Sequence, residues 1–254
     1  MTDSRSTEEG DDPMAVSVVV PAFNEEQGIA ESLRSIRHAI TAFDEVGWTS
    51  ELIVCDNNST DRTAEIAVQA GAVVVFEPIN QISRARNAGA AQARGDWLLF
   101  VDADSHPTRE LFVDVRDAIQ RGRCVAGGST VCFENPDRIV AFVGGCWNRI
   151  SRVTRWAAGS FIFCEASAFR LVGGFSLELY AAEEIDLFRR LKRLARRTGR
   201  TIEILHRHPL LTSARKARLY TAREGLTFAI RTVMQRGRTL RNPKECFQWY
   251  DGRR

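Results

Sequence analysis

Asp96-Trp97-Leu98-Leu99-Phe100-Val101-Asp102-Ala103-Asp104 is the stretch on which the reading of this chain turns. Five consecutive apolar residues, Trp97 to Val101, have the length and character of a strand buried on both faces. Two carboxylates separated by one small residue follow at once. In an open α/β sheet, ligands bind beyond the carboxyl ends of the strands, so Asp102 and Asp104 fall where chemistry is expected. If the segment stays extended, alternate residues share a side and both carboxylates face one ligand. Two hard anionic oxygens suit Mg2+ or Mn2+, with phosphate oxygens and water completing the shell. A polar turn closing a core strand would use the same residues without chemistry, and the rest of the chain has to decide.

Upstream, Val16 to Val20 predicts a first strand that ends in the loop Pro21-Ala22-Phe23-Asn24-Glu25-Glu26. A helix follows from about Glu26 to Ala42, supported by Ile29, Leu33, Ile36 and Ile40 at three- and four-residue spacing. Leu52 to Cys55 predicts the second strand, ending in Asp56-Asn57-Asn58-Ser59-Thr60-Asp61. Ser59 or Thr60 is the expected cap of a helix that runs to about Ala70 and stops at Gly71. Ala72 to Phe76 predicts a third strand, and Ser83 the cap of a helix of small residues through Ala93. Strand–helix alternation of this kind implies a mostly parallel central sheet flanked by helices, with right-handed crossovers. Neither G-x-G-x-x-G after the first strand nor G-x-x-x-x-G-K-[ST] anywhere is present, which disfavours a dinucleotide-binding dehydrogenase and a P-loop NTPase.

Four blocks in order carry a resemblance: Val18-Val19-Val20-Pro21-Ala22-Phe23-Asn24-Glu25, Asp56-Asn57-Asn58-Ser59-Thr60-Asp61, Arg84-Ala85-Arg86-Asn87-Ala88-Gly89 and Asp102-Ala103-Asp104. Together they resemble family 2 glycosyltransferases of the glycosyltransferase A fold, over roughly residues 15–215. The resemblance implies a nucleotide-sugar donor, a UDP-sugar by preference, and a sugar, lipid-linked or small-molecule acceptor. It implies that Pro21, Ala22, Phe23 and Glu25 line the nucleoside pocket and that Asp56 accepts a hydrogen bond from the base. Arg84 and Arg86 are candidates for the donor diphosphate, since guanidinium suits phosphate oxygens; only one of them is expected to face it. Asp104 is the expected metal ligand, and Asp102 helps through water or the ribose.

Further along, Pro107 to Arg121 predicts a helix, and Val125 to Phe133 a strand in which Gly127-Gly128 permits close backbone approach. Ile139 to Val153 predicts a helix with interspersed arginines, and Gly159 to Cys164 a strand. Val172-Gly173-Gly174-Phe175 precedes Glu183-Glu184-Ile185-Asp186-Leu187, which opens a helix to Arg197. This resembles the family's Gly-Gly-Phe and Glu-Asp-x-Asp-Leu pattern, whose Asp is the catalytic base. Glu184 stands at that position, one methylene longer, with Glu183 as competitor. Acids in the first turn of a helix are also favoured without catalysis. Ile202–Leu205 and Pro209–Thr212 predict late strands, with His206 and His208 between them as loop residues rather than metal ligands. Thr212-Ser213-Ala214-Arg215 resembles the family's closing segment, where Arg215 would approach the donor. Leu219 to Met234 reads as an amphipathic basic helix.

Composition sets the bounds. The 254 residues carry 44% hydrophobic and 26% charged side chains, as an ordinary globular protein does. No apolar run approaches the ~18 residues of a membrane span, and the acidic start Thr2–Asp12 lacks a signal-peptide core. The expected organisation is a disordered segment 1–14, a glycosyltransferase domain 15–215 and a basic helical extension 216–254 packed on the domain. Six scattered cysteines without metal spacing are expected as buried thiols in a reducing, cytoplasmic setting. Residues 1–185 hold 16 Lys and Arg against 27 Asp and Glu, a balance of −11, whereas residues 186–254 hold 19 against 5, or +14. The basic end predicts peripheral attachment to anionic membrane, at its inner face, with no nucleic acid expected. Two other classes compete with a metal-dependent inverting transferase: a catalytically weak sugar-nucleotide-binding protein and a basic membrane- or nucleic-acid-binding module.

Overall fold

The computed structural model describes residues 13–136, 138–213, 238–242 and 246. Strands β1 (Ala15–Ala22), β2 (Thr49–Asp56), β3 (Val73–Phe76) and β4 (Trp97–Val101) alternate with helices α1 (Ile29–Asp44), α2 (Thr63–Gln69) and α3 (Ile82–Gln92). A two-residue strand β5 (Ser105–His106) and helix α4 (Arg109–Gln120) follow, then β6 (Cys124–Phe133) and α5 (Arg138–Thr154). Strand β7 (Phe161–Glu165), α6 (Ala166–Leu171), α7 (Glu183–Arg197) and β8 (Thr201–Thr212) complete the fold, and a short 3-10 turn spans Arg238–Arg241.

Among the described residues, eight strands join in one sheet of order β3-β2-β1-β4-β7-β6-β8-β5. The pairs β1–β2, β2–β3, β1–β4 and β6–β8 are parallel; β4–β7, β6–β7 and β5–β8 are antiparallel. The first four strands are therefore the expected parallel sheet, and the second half is mixed because β7 inserts between β4 and β6. Strand order reverses between β1 and β4, which opens a crevice at their carboxyl ends.

All five residues of β4 are buried, as expected of a strand covered on both faces. Trp97, Leu99 and Val101 join the core beneath α1 and α4, while Leu98 and Phe100 join the core beneath α6 and α7. This is the two-residue alternation of a pleated strand. Gly127 and Gly128 of β6 do permit close approach: a Cβ at Gly127 would meet Glu203 O at 2.3 Å, and one at Gly128 would meet Ala157 Cβ at 2.3 Å.

Several local expectations give way to longer-range bonds. Helix α2 starts at Thr63 after Arg62, without a side-chain cap. Ser59 Oγ instead accepts the Asn24 N–H at 2.9 Å, and the Thr60 N–H donates to Asn24 Oδ1 at 2.8 Å. Ser83 lies inside the first turn of α3 rather than capping it, with Gln81 at the cap position. His206 and His208 lie within β8, not in a loop. The ladder with β6 skips them, since Leu205 pairs with Ser129 and Leu210 with Val131, and Pro209 sits at that irregularity, where a missing N–H is tolerated. His208 Nδ1 lies 3.0 Å from Asp114 Oδ2 of α4, and His206 is exposed.

Cys55, Cys124, Cys164 and Cys246 are buried as expected, but Cys132 and Cys146 are exposed. Burial pushes the Cys55 thiol up to about 12 and Cys124 to about 11, so both stay protonated. Among the described residues no helix is long and apolar enough to cross a membrane. Arg215 and the segment Leu219–Met234 lie outside the described residues. The 3-10 turn meets the domain through Tyr180 N–H to Leu240 O, 2.7 Å, and Arg241 to Glu178, 3.2 Å.

Candidate active site

The crevice between β1 and β4 collects most of the residues singled out from sequence. Ala22 pairs with Asp56 in the β1–β2 ladder, so the loops after these two strands lie side by side. They are laced together: Asn57 N–H donates to Ala22 O at 2.8 Å, Glu25 N–H to Thr63 Oγ1 at 2.8 Å and Glu26 N–H to Asp61 Oδ2 at 3.1 Å. Pro21, Ala22, Glu25 and Asp56 are buried, and Phe23 is half-buried. Asp56 Oδ1 accepts the Ser59 N–H at 3.2 Å. Asn24 has φ 51, in the left-handed region that Asn tolerates better than most residues.

Asn57 extends this lacing to the next loop. Its Nδ2 donates to Ile79 O at 2.7 Å, and its Oδ1 accepts the Gln81 N–H at 2.8 Å. Gln81 Nε2 in turn donates to Leu177 O and Leu179 O at 3.0 and 2.9 Å, reaching the segment before α7. Asn87 clamps the same segment from α3, donating to Phe175 O at 2.8 Å and accepting the Phe175 N–H at 2.9 Å. Phe175 packs at 5.1 Å from Phe100 and 5.6 Å from Phe169. Asn57, Gln81 and Asn87 were not picked out from sequence. Two of them lie inside quoted blocks, where a short amide beside a strand end or a small-residue helix is the visible signal; Gln81 has none.

The centre of the crevice is Arg86. Its side chain is 1% exposed, and its two terminal nitrogens reach three partners. Nη1 donates to Glu183 Oε1 at 2.7 Å; Nη2 donates to Asp102 Oδ1 at 2.9 Å and to Gly159 O at 2.8 Å. The guanidinium lies 5.1 Å from the Phe175 ring centre, a cation–π distance. Burial works against its charge, but Asp102, Glu183 and Glu184 more than offset that and hold the group protonated. Arg86 therefore ties α3, the end of β4, the loop before β7 and the start of α7 into one unit. Arg84, two residues earlier and so about 200° around α3, is half-buried and makes no ion pair among the described residues.

Asp102 and Asp104 do not continue the strand. The Ser105 N–H donates to Asp102 O at 3.1 Å, which folds Asp102–Ser105 into a turn. The expectation of an extended segment fails because β4 ends at Val101 and the chain must reverse to pair β5 with β8. The Asp102 N–H donates to Ser160 O at 3.1 Å, and Asp104 O accepts the Ser213 N–H at 3.1 Å. Asp102 is 22% exposed at its side chain and Asp104 is 8% exposed. No cluster of three or more His, Cys, Asp or Glu gathers among the described residues. Two hard carboxylates on one turn still suit a Mg2+ or Mn2+ whose other ligands are phosphate and water.

Glu183 and Glu184 differ sharply. Glu183 is 4% exposed and engaged by Arg86. Glu184 is half-buried with no ion pair among the described residues, and its carboxyl carbon would lie 3.6 Å from a Cβ built on Gly159. Its pKa is raised to about 8, first by burial and next by the Glu183 charge, with Arg86 acting in the opposite sense. A carboxylate poised near neutrality in a crevice is a common mark of acid–base function.

The sequence profile described as "Glycosyl transferase family 2" matches residues 17–169. The chain belongs to that family. It is 31% identical over 121 residues to a dolichol-phosphate mannosyltransferase of Pyrococcus furiosus, a stretch that is 46% of this chain and 33% of that protein. Among solved structures, S. aureus TarS in complex with UDP-GlcNAc superposes with a TM-score of 0.63 at 21% identity, over 92% of this chain and 69% of that one. The mannosyltransferase PcManGT of Pyrobaculum calidifontis, in complex with GDP-Man and Mn2+, gives 0.60 at 19% identity, over 77% and 56%. These superpositions identify the glycosyltransferase A fold. The family 2 chain spans 19% to 37% of the length of the first curated relatives it matches.

Proposed function

We propose that this family 2 protein transfers a sugar from a nucleoside-diphosphate donor, a UDP-sugar by preference, to an acceptor hydroxyl, inverting the anomeric centre in one displacement. The observation that carries the reading is the division of labour around Arg86. One glutamate of the pair neutralises the buried cation, and the other stands beside it with a pKa raised to about 8. Glu184 then takes the proton of the acceptor hydroxyl as the C–O bond forms. The pair of electrons leaving the anomeric carbon goes to the nucleoside diphosphate.

The remaining residues bind and orient. Pro21, Ala22, Phe23 and Glu25 line the nucleoside pocket, and Asp56 accepts from the base, a bond that separates bases by their donor pattern. Of the two arginines, Arg84 is left for the diphosphate, because both terminal nitrogens of Arg86 are engaged by Glu183, Asp102 and Gly159 O. Asp104, with Asp102 beside it, would hold Mg2+ or Mn2+, and such an ion neutralises charge on a leaving diphosphate. Relatives and neighbours whose names specify a dolichol-phosphate acceptor, UDP-GlcNAc, or GDP-Man with Mn2+ support a nucleotide-sugar donor and a divalent cation. They leave sugar, lipid-linked and small-molecule acceptors all in play.

The testing experiment is a thermal shift with UDP in the presence and absence of Mn2+. A ligand bound only by the folded state raises the midpoint by mass action. The parent is expected to shift with UDP and Mn2+ together, and Asp104→Asn to lose that shift while melting normally alone. Tight metal-dependent binding by Asp104→Asn would remove Asp104 from the metal's ligands.

A pH dependence follows from the base. Glu184 must be ionised to accept a proton, and its pKa is raised to about 8. kcat/KM for transfer is therefore expected to climb through about pH 8 toward a plateau. A profile already flat from pH 6 upward would contradict the assignment.

A further inference from the structure

Helix α5 turns an apolar stripe to solvent. Ile139, Phe142, Val143, Ile150 and Val153 are between 48% and 81% exposed. At the α-helical rotation per residue they share an arc of about 100°, together with the exposed Cys146. The other side of the helix is fastened to β6. The Val131 N–H donates to Asn148 Oδ1 at 2.9 Å, Asn148 Nδ2 donates to Val131 O at 2.8 Å, and Gly144 and Ser151 are buried. The stripe is thus held outward by the fold itself.

Charge accompanies the stripe. Between Arg138 and Arg155 the chain has four arginines and no Asp or Glu. At its far end α5 meets the basic face of α7, where Arg189 and Lys192 lie 5.7 and 5.2 Å from the Trp156 ring centre. A pocket of about 270 Å³ opens there, lined by Val153, Arg155, Lys192, Arg196 and Arg200. Arg200 is paired with Glu165, whereas Arg155, Lys192 and Arg196 make no ion pair among the described residues. Burial, then Arg196, Arg155 and Arg189, lower the Lys192 pKa, as positive charge gathered without a counter-ion does.

We propose that α5 is an in-plane docking helix for an anionic phospholipid surface, its apolar stripe entering the acyl boundary and the basic pocket at its end receiving a headgroup phosphate. A strongly amphipathic helix with cations on its polar flank has the physical make-up for that position. An antiparallel two-fold pairing of this face would bring the two arginine rows to the same flank with no α5 acid between them. The place in the fold gives the docking a use. Helix α5 leaves the carboxyl end of β6 and returns through Gly159 and Ser160, whose carbonyls hold Arg86 and the Asp102 N–H. A membrane under α5 therefore lies beside the crevice, where an acceptor carried by a lipid would arrive.

This proposal is independent of the transfer reaction, since docking needs neither donor nor turnover. The test is co-sedimentation of the full chain with phosphatidylcholine vesicles and with vesicles containing phosphatidylglycerol, at two salt concentrations. The parent is expected to pellet with the anionic vesicles and to do so less at high salt. Phe142→Asp with Val153→Asp is expected to weaken that binding about tenfold or more, as removal of the inserted apolar area requires. Arg149→Glu with Arg152→Glu should weaken it most at low salt. Val68→Asp, at an exposed valine on α2, should leave it unchanged. Circular dichroism melts and UDP binding of each variant separate a lost surface from a lost fold or a lost donor site. Recovery of the parent in the supernatant throughout overturns the proposal, as does undiminished binding by Phe142→Asp with Val153→Asp. A parent dimer that this double variant dissociates would also overturn it, in favour of a second copy as occupant.

Discussion

Glu184→Gln is expected to lower the rate of sugar transfer about 10²- to 10⁴-fold, the usual cost of losing a positioned base, with UDP affinity unchanged. Gln keeps the shape of the side chain and cannot accept the proton. In the proposed mechanism the nucleotide is held elsewhere, by the loops after β1 and β2 and by the turn at Asp102–Asp104. Stability gives a second signature. A carboxyl whose folded pKa is raised contributes stability that is full below its unfolded pKa and is lost as pH climbs through the folded value, here about 8. Above that pH the Gln variant should therefore melt higher than the parent, which is the opposite of what removal of a structural ion pair does. Initial rates with a fixed donor, together with melts at pH 6 and pH 9, decide it. A variant that transfers at the parental rate would remove Glu184 from the mechanism.

Arg86→Leu should cost about 3–5 kcal/mol, the magnitude for removing one partner of a buried ion pair and leaving the other uncompensated. Two carboxylates lose their counter-ion at once, Glu183 at 4% exposure and Asp102 at the mouth. The contact with Phe175 and the anchor on Gly159 O go with it. Arg86→Lys should rescue little, because one ammonium cannot reproduce the two-nitrogen fork that spans Glu183 and Asp102. Urea unfolding measures both. A loss below about 1 kcal/mol for Arg86→Leu would fall in the range of surface pairs and would mean that the four elements do not depend on this cation.

What was legible in the sequence is what local pattern encodes. Val16 to Val20 and Trp97 to Val101 read as doubly covered strands because every residue but Ser17 is apolar, and Glu183 to Arg197 reads as a helix, whose buried positions Leu187, Phe188, Leu191 and Ala195 keep helical spacing in the fold. The placing of Asp56, Asp102 and Asp104 followed from the rule for strand ends. The insertion of β7 between β4 and β6, the two residues of β5 and the single turn-and-a-half of α6 were not legible, since long-range pairing leaves no local periodicity. Arg86 shows the limit at the site. A charged residue in a helix of small residues reads equally as a solvated charge or as a ligand contact, and its burial depends on Glu183, 97 residues away. Neither Ser59 nor Thr60 caps α2 for the same reason, as their partner Asn24 belongs to another strand's loop.

The most direct measurement is the pH profile of nucleotide release from a UDP-sugar with Mn2+, for the parent and Glu183→Gln side by side with Glu184→Gln. The account predicts a parent profile that climbs through about pH 8 and a Glu184→Gln profile near background. Because the Glu183 charge helps to raise the Glu184 pKa, Glu183→Gln should keep turning over, with its midpoint moved to lower pH. Loss of turnover in Glu183→Gln with a parental profile in Glu184→Gln would contradict the account.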